Sequence, residues 1–270
     1  MLWNAKNGEV VIGNTKMSYA SFGQGERVFI ILPGLSDGLT TVRGKALLLA
    51  KPYTAFFDRY TVYMFSRKDE MPVGYSIRDM AADQAEALKR LGIKTASVMG
   101  VSQGGMIAQY LAIDHPELVD RLVLAVTAPR VNEIIDGCVG KWIVFVEQRN
   151  HKALMIDTAE KSYSEAYLKK YRKIYPIIGA IGKPKDYDRF LVNARAILGF
   201  ESSGELNKIT CPTLIIGGDE DKTVGVQASY DLHERIAGSA LHVYHGLGHA
   251  AYEEAKDFNQ RVFAFLEGTV

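Results

Sequence analysis

The feature that most constrains this chain is a series of short, continuously apolar runs separated by helical patterns. The runs are Val28–Leu32, Thr61–Phe65, Ser97–Met99, Leu122–Val126 and Thr213–Ile216. A strand that is apolar at every position offers no face to water, so it is covered on both sides, as in a parallel sheet. Between the runs lies Ile77–Leu91, with Met80, Ala81, Gln84, Ala85, Leu88 and Leu91 at helical spacing and Gly92 as its stop. Gln103–Ile113 is a second helical stretch, closed by His115-Pro116. Val226–Ile236 reads as a helix, Leu241–Tyr244 as a strand and Glu253–Leu266 as a final amphipathic helix. Only the start differs: Glu9–Phe22 alternates weakly around Gly13-Asn14, which predicts an antiparallel hairpin. Alternating strands and helices imply an α/β protein with a mostly parallel sheet and right-handed crossovers.

One region breaks the rhythm. From Val131 to Ser203 no strand pattern occurs, and helix formers and aromatics dominate. Tyr163, Tyr167, Tyr171 and Tyr175 recur every fourth residue, which predicts one shared helix face. The region is expected to be a helical lid, residues 131–203, inserted into a core made of residues 1–130 and 204–270. Trp142 and Phe145 are its candidate substrate-lining side chains.

Residues Gly100-Val101-Ser102-Gln103-Gly104 read G-x-S-x-G, after an apolar β-like run and before a helical one. That context is what a nucleophile elbow needs: a serine on a turn too sharp for ordinary neighbours, with glycines where Cβ atoms would collide. The hydroxyl then stands clear at the N-terminal end of a helix, whose amides face an oxyanion. A serine nucleophile needs a base, and the base needs an orienting carboxylate. The strand ending in Gly217-Gly218 delivers Asp219-Glu220-Asp221, and the next delivers His245-Gly246-Leu247-Gly248-His249, both at the C-terminal sheet edge where such proteins place their sites. His242, His245 and His249 match no metal-binding spacing, and no metal or other cofactor is expected.

The chain resembles the α/β-hydrolase superfamily in its lidded, single-domain form. Besides Gly100–Gly104, the resemblance rests on His115-Pro116-Glu117-Leu118-Val119 leading into Leu122-Val123-Leu124, on Cys211–Gly218 and on Gly248-His249. It implies an eight-stranded, mostly parallel sheet flanked by helices, and the chain order Ser, Asp, His. Members often carry the acid three residues after a glycine at this strand end, which points to Asp221, with Asp219 and then Glu220 in reserve. His249 follows a glycine, as in the family, so it is the expected base. The implied oxyanion donors are the Gln103 N–H and an N–H from Leu32–Gly38; Pro33-Gly34 stands where relatives carry His-Gly, which leaves Leu35 as donor. Ser36 either assists by its hydroxyl or caps the turn. Arg67 and Lys68 replace a glycine-rich stretch of relatives and either meet an anionic substrate group or pair with Asp69, Glu70 or a lid carboxylate.

The implied activity is that of a serine esterase acting on an ester, thioester or lactone of a small, largely apolar acid. C–C bond hydrolysis on the same fold, or a slow receptor that keeps the triad, are the alternatives. A net charge of +1 offers no field for nucleic acid or an anionic membrane. No apolar run nears the ~20 residues that span a bilayer. The N-terminus lacks a signal-peptide pattern and Cys138 and Cys211 form no disulfide framework, so a cytoplasmic location is expected, with a homodimer left open.

Overall fold

The computed structural model describes residues 2–178 and 183–269. The N-terminal hairpin is β1 (Lys6–Ile12) and β2 (Thr15–Gly23). Ile12 faces Thr15 across the Gly13-Asn14 loop, and Gly13 takes φ +60, which a primed turn requires. The remaining strands are β3 (Arg27–Leu32), β4 (Tyr60–Lys68), β5 (Ala96–Val101), β6 (Val119–Ala125), β7 (Thr213–Gly218) and β8 (Ala240–Tyr244). They form one sheet of eight in the order β1-β2-β4-β3-β5-β6-β7-β8. β2 runs antiparallel to β1 and β4, and every other pair is parallel.

Alternate residues of each central strand serve opposite faces. On β5, Ala96 and Val98 join a core with α2 (Ile77–Arg90), α3 (Gln103–Asp114) and α9 (Gln227–Arg235). Met99 and Val101 join the other core, with α1 (Ala46–Ala50) and α11 (Phe258–Leu266). Every residue of β5 and of β7 is buried, which explains why their sequences are apolar without alternation. The start of α2 is fixed by a capping box: Ser76 accepts from the Asp79 N–H, and Asp79 accepts from the Ser76 N–H.

The parallel register brings the strand ends into line. Leu32 lies beside Gly100, Val101 beside Ala125, Ala125 beside Ile216 and Gly218 beside Tyr244. The loops carrying Leu35, Ser102, Asp221 and His249 therefore leave the sheet along one edge.

Between β6 and β7 the chain forms a helical insertion: α4 (Glu133–Glu147), α5 (His151–Ser162), α6 (Glu165–Tyr171), α7 (Tyr175–Ile178) and α8 (Asp188–Leu198). Its two ends are stitched together, since Val131 N–H donates to Phe200 O and Ser202 N–H to Pro129 O. Two expectations are corrected here. The four tyrosines do not share one helix: Tyr163 follows α5, Tyr167 and Tyr171 lie on α6, and Tyr175 opens α7. The break comes at Ser164, whose hydroxyl accepts from the Tyr167 N–H and starts a new helix. The rings still stack across it, with centroids 4.3 Å apart for Tyr163–Tyr167 and 4.4 Å for Tyr167–Tyr171. Likewise Glu253–Leu266 is not continuous but divides into α10 (Ala251–Glu254) and α11, with extended backbone at Ala255. Glu253 and Glu254 are held by the insertion, while Phe258, Val262 and Phe265 pack on the sheet. One straight helix would not serve both directions.

Candidate active site

Ser102 sits between β5 and α3 at φ 54, ψ −120, a conformation that side chains rarely adopt. Crowding around it explains both glycines of the motif. A Cβ on Gly100 would lie 2.3 Å from Gly104 O, and one on Gly104 would lie 1.9 Å from Leu32 O. The strained turn is tied down from several sides. Ser102 N–H donates to Ala125 O at 2.9 Å, while its carbonyl accepts from Gly105 N–H at 2.8 Å and from the Thr127 hydroxyl at 2.7 Å. Thr127 has no motif around it in the sequence, and nothing local announces its role.

His249 Nε2 lies 2.9 Å from Ser102 Oγ, and His249 Nδ1 lies 2.8 Å from Asp221 Oδ2. The Asp221 side chain is almost wholly buried, and its other oxygen accepts from the Thr223 and Val224 N–H groups at 2.8 and 2.9 Å. Burial pushes the Asp221 carboxyl upward, but the charge and hydrogen bond of His249, with the two amides, outweigh it and hold the carboxyl below its ordinary range. The reserve acid Asp219 instead takes His245 Nδ1 at 2.8 Å and the Gly246 N–H at 2.7 Å, on an exposed loop. Glu220 is exposed.

Gly34 lies against the serine: a Cβ there would come within 3.3 Å of Ser102 Cβ. The following residues, Leu35–Gly38, form a short 3-10 turn, and Leu35 is buried. Among the described residues, no carbonyl takes up the N–H of Leu35 or of Gln103. Gln103 follows Ser102 directly in the chain, and Leu35 follows Gly34, which packs against the serine. Ser36 is exposed, and its carbonyl closes the turn by accepting from Leu39 and Thr40. Trp142 is buried inside the insertion, its indole N–H donating to Asp157 at 2.9 Å, and Phe145 lies half-buried under Lys141 on the same helix.

Arg67 and Lys68 both find carboxylates, though not those the sequence suggested. Lys68 pairs with Asp83 at 3.3 Å. Arg67 is fully buried beside Asp37, which also holds Arg189 of α8 at 2.6 Å. Burial pulls the Arg67 guanidinium down to about 10, against the pull of Asp37, so it stays charged at neutral pH. The insertion also reaches the histidine loop. Ala250 N–H donates to Ser162 O at 2.7 Å, and Ser164 bonds Glu254 through both its hydroxyl and its N–H.

The family model for the alpha/beta hydrolase fold matches residues 28–256. This chain is a member of the α/β-hydrolase family. Among its curated relatives is a 3-oxoadipate enol-lactonase of Acinetobacter baylyi, 25% identical over 260 residues and 93% of both chains. A 2-hydroxy-6-oxononadienedioate/2-hydroxy-6-oxononatrienedioate hydrolase from a Pseudomonas species is 29% identical over 207 residues, 72% of each. The solved enol-lactonase of Burkholderia xenovorans superposes with a TM-score of 0.80 at 20% identity, over 96% of this chain and 100% of its own, which shows the shared fold. In this α/β hydrolase no helix among the described residues is long and apolar enough to cross a membrane.

Proposed function

We propose that this α/β hydrolase is a serine hydrolase of the carboxylesterase class, cleaving an ester, thioester or lactone of a small, largely apolar substrate. The observation that carries the reading is the unbroken hydrogen-bonded chain from Asp221 through His249 to Ser102, at 2.8 and 2.9 Å. In this scheme His249 Nε2 takes the Ser102 proton as Oγ attacks the carbonyl carbon. Asp221 accepts from Nδ1–H, which fixes the tautomer that leaves Nε2 free to accept. The developing oxyanion takes hydrogen bonds from the Leu35 and Gln103 amides. His249 then gives its proton to the leaving oxygen or sulfur, and the acyl-enzyme forms. Water, deprotonated by His249, releases the acid and restores Ser102. The helical insertion acts as the lid; Ser36, on the turn after β3, and Trp142 and Phe145, on the first helix of the insertion, are the candidate substrate-binding side chains.

The likeness to an enol-lactonase over 93% of the chain favours an ester or lactone carbonyl. The likeness to a 2-hydroxy-6-oxononadienedioate hydrolase supports C–C bond hydrolysis as the second reading. A panel separates them: p-nitrophenyl esters of rising chain length, an enol-lactone, and a 2-hydroxy-6-oxo-dienoate. The expected result is turnover of short or medium esters or the lactone. Cleavage of the dienoate alone would replace the esterase reading by the C–C one. A ligand retained at one per chain without turnover would make the protein a receptor.

A further inference from the structure

We propose that Arg67 is a positioning residue for the oxyanion pocket, one guanidinium that sets both amide donors at once. The inference rests on the serine-hydrolase reading above. Arg67 Nη1 donates to Gly34 O at 3.3 Å, and Nη2 donates to Gln103 Oε1 at 2.9 Å. Gly34 and Gln103 are the residues through which the two donors are held.

The first contact acts through a single peptide plane. The Gly34 carbonyl and the Leu35 N–H belong to one rigid, trans unit, so their bonds point in opposite directions. A cation held on the carbonyl side therefore fixes the direction of the Leu35 N–H on the opposite side of that peptide, next to the Gly34 that packs against Ser102. It also polarises that peptide, which makes the N–H a stronger donor. The second contact acts through a side chain. Gln103 is fully buried, gripped by Arg67 at Oε1 and by the Asn193 carbonyl of α8 at Nε2, 2.9 Å away. The residue bearing the second N–H is thereby held at both ends of its amide.

Charge points the same way. Arg67 and Arg189 share the one carboxylate of Asp37, so the buried cluster keeps an excess positive charge behind the pocket. Arg189 also donates to the carbonyls of Arg67 and Asp37, at 2.8 and 3.2 Å. The Arg67 N–H donates to Asp37 at 2.9 Å, which braces the Leu35–Gly38 turn against the end of β4. Apolar packing serves stability at least as well as a buried ion cluster. A net cation in low dielectric beside a forming oxyanion lowers the barrier instead.

The test compares wild type with Arg67→Met and Gln103→Met, which keeps the backbone N–H but removes the link to Arg67. Active sites are counted with a fluorophosphonate, turnover is followed on p-nitrophenyl acetate, and inhibition is measured with a short-chain alkyl trifluoromethyl ketone, whose adduct carries an oxyanion. Direct loss of an oxyanion donor costs about 100-fold to 1000-fold in kcat, so loss of its support should cost about 10-fold to 100-fold per active site. The expected result is that fall in kcat, KM within about twofold, and ketone affinity reduced by the same factor as kcat. A folded Arg67→Met enzyme with kcat and ketone affinity within about twofold of wild type would overturn the proposal. Should Arg67→Met fail to fold, Gln103→Met decides by the same two readings. Failure of the underlying reading looks different: the wild type itself would take up no fluorophosphonate, and the proposal would fall with it.

Discussion

Ser102→Ala should reduce ester hydrolysis by about 10⁶-fold, the scale seen when a serine nucleophile is removed from such a constellation. The protein should remain folded, because the change removes one oxygen and nothing else from the turn. Ser102→Gly should lose the same activity and gain stability. Holding a non-glycine residue at φ 54, ψ −120 costs about 1–3 kcal/mol, and a glycine relieves it. The greater chain entropy of glycine returns about 0.5–1 kcal/mol of that, which leaves a net gain of about 1 kcal/mol. Thermal unfolding of the three proteins beside their ester turnover reads both effects. A Ser102→Gly variant less stable than Ser102→Ala would mean that the turn is not strained.

Asp221→Asn should lower kcat by about 10⁴-fold, with folding retained. Asparagine would still accept from the Thr223 and Val224 amides through its oxygen, so its NH₂ would face His249 Nδ1. The imidazole would then carry its proton on Nε2, pointing at Ser102 Oγ and unable to accept from it. Asp219→Asn should leave turnover near wild type, since that carboxylate serves His245 and the Gly246 N–H. Large loss at position 219 and none at 221 would reverse the assignment of the acid. The same carboxyl carries a pH signature. Its folded-state pKa lies below its ordinary value, because His249 and the amides outweigh burial. The stabilisation it supplies is therefore fully present above the unfolded carboxyl pKa of about 3.9. It is lost as pH falls from there through the depressed folded value. Melting temperatures of wild type and Asp221→Asn should accordingly converge below about pH 4.

The strands were legible because β3, β5, β6 and β7 are buried on both faces, and burial writes itself into consecutive residues. The elbow was legible because Gly100 and Gly104 answer to local crowding, within a few residues of Ser102. Chain order and strand ends pointed to the loops carrying residues 219–221 and 245–249. The resemblance to the α/β-hydrolase family pointed within them to Asp221 and His249, and the structure places those two side chains 2.8 Å apart. The Arg67–Asp37–Arg189 cluster was not legible. Its partners lie on β4, on the turn after β3 and on α8, far apart in the chain, and each alone looks like a surface charge. The tyrosine spacing misled for a related reason. A four-residue spacing recurs as well across helix breaks as within one helix, and the Ser164 cap that divides the tyrosines is also hydrogen-bonded to Glu254 on α10, far away in the chain. Thr127 supports the elbow through a bond to a backbone carbonyl, a contact that leaves no mark on residue type.

If the proposed function holds, Ser102 is an activated nucleophile. The most direct measurement is intact-protein and peptide mass spectrometry after reaction with a fluorophosphonate, for wild type, Ser102→Ala and His249→Ala. The expected result is one probe per chain, on the peptide carrying Ser102, absent in Ser102→Ala and greatly slowed in His249→Ala. An unlabelled wild type, or label on any other residue, would contradict the proposed function.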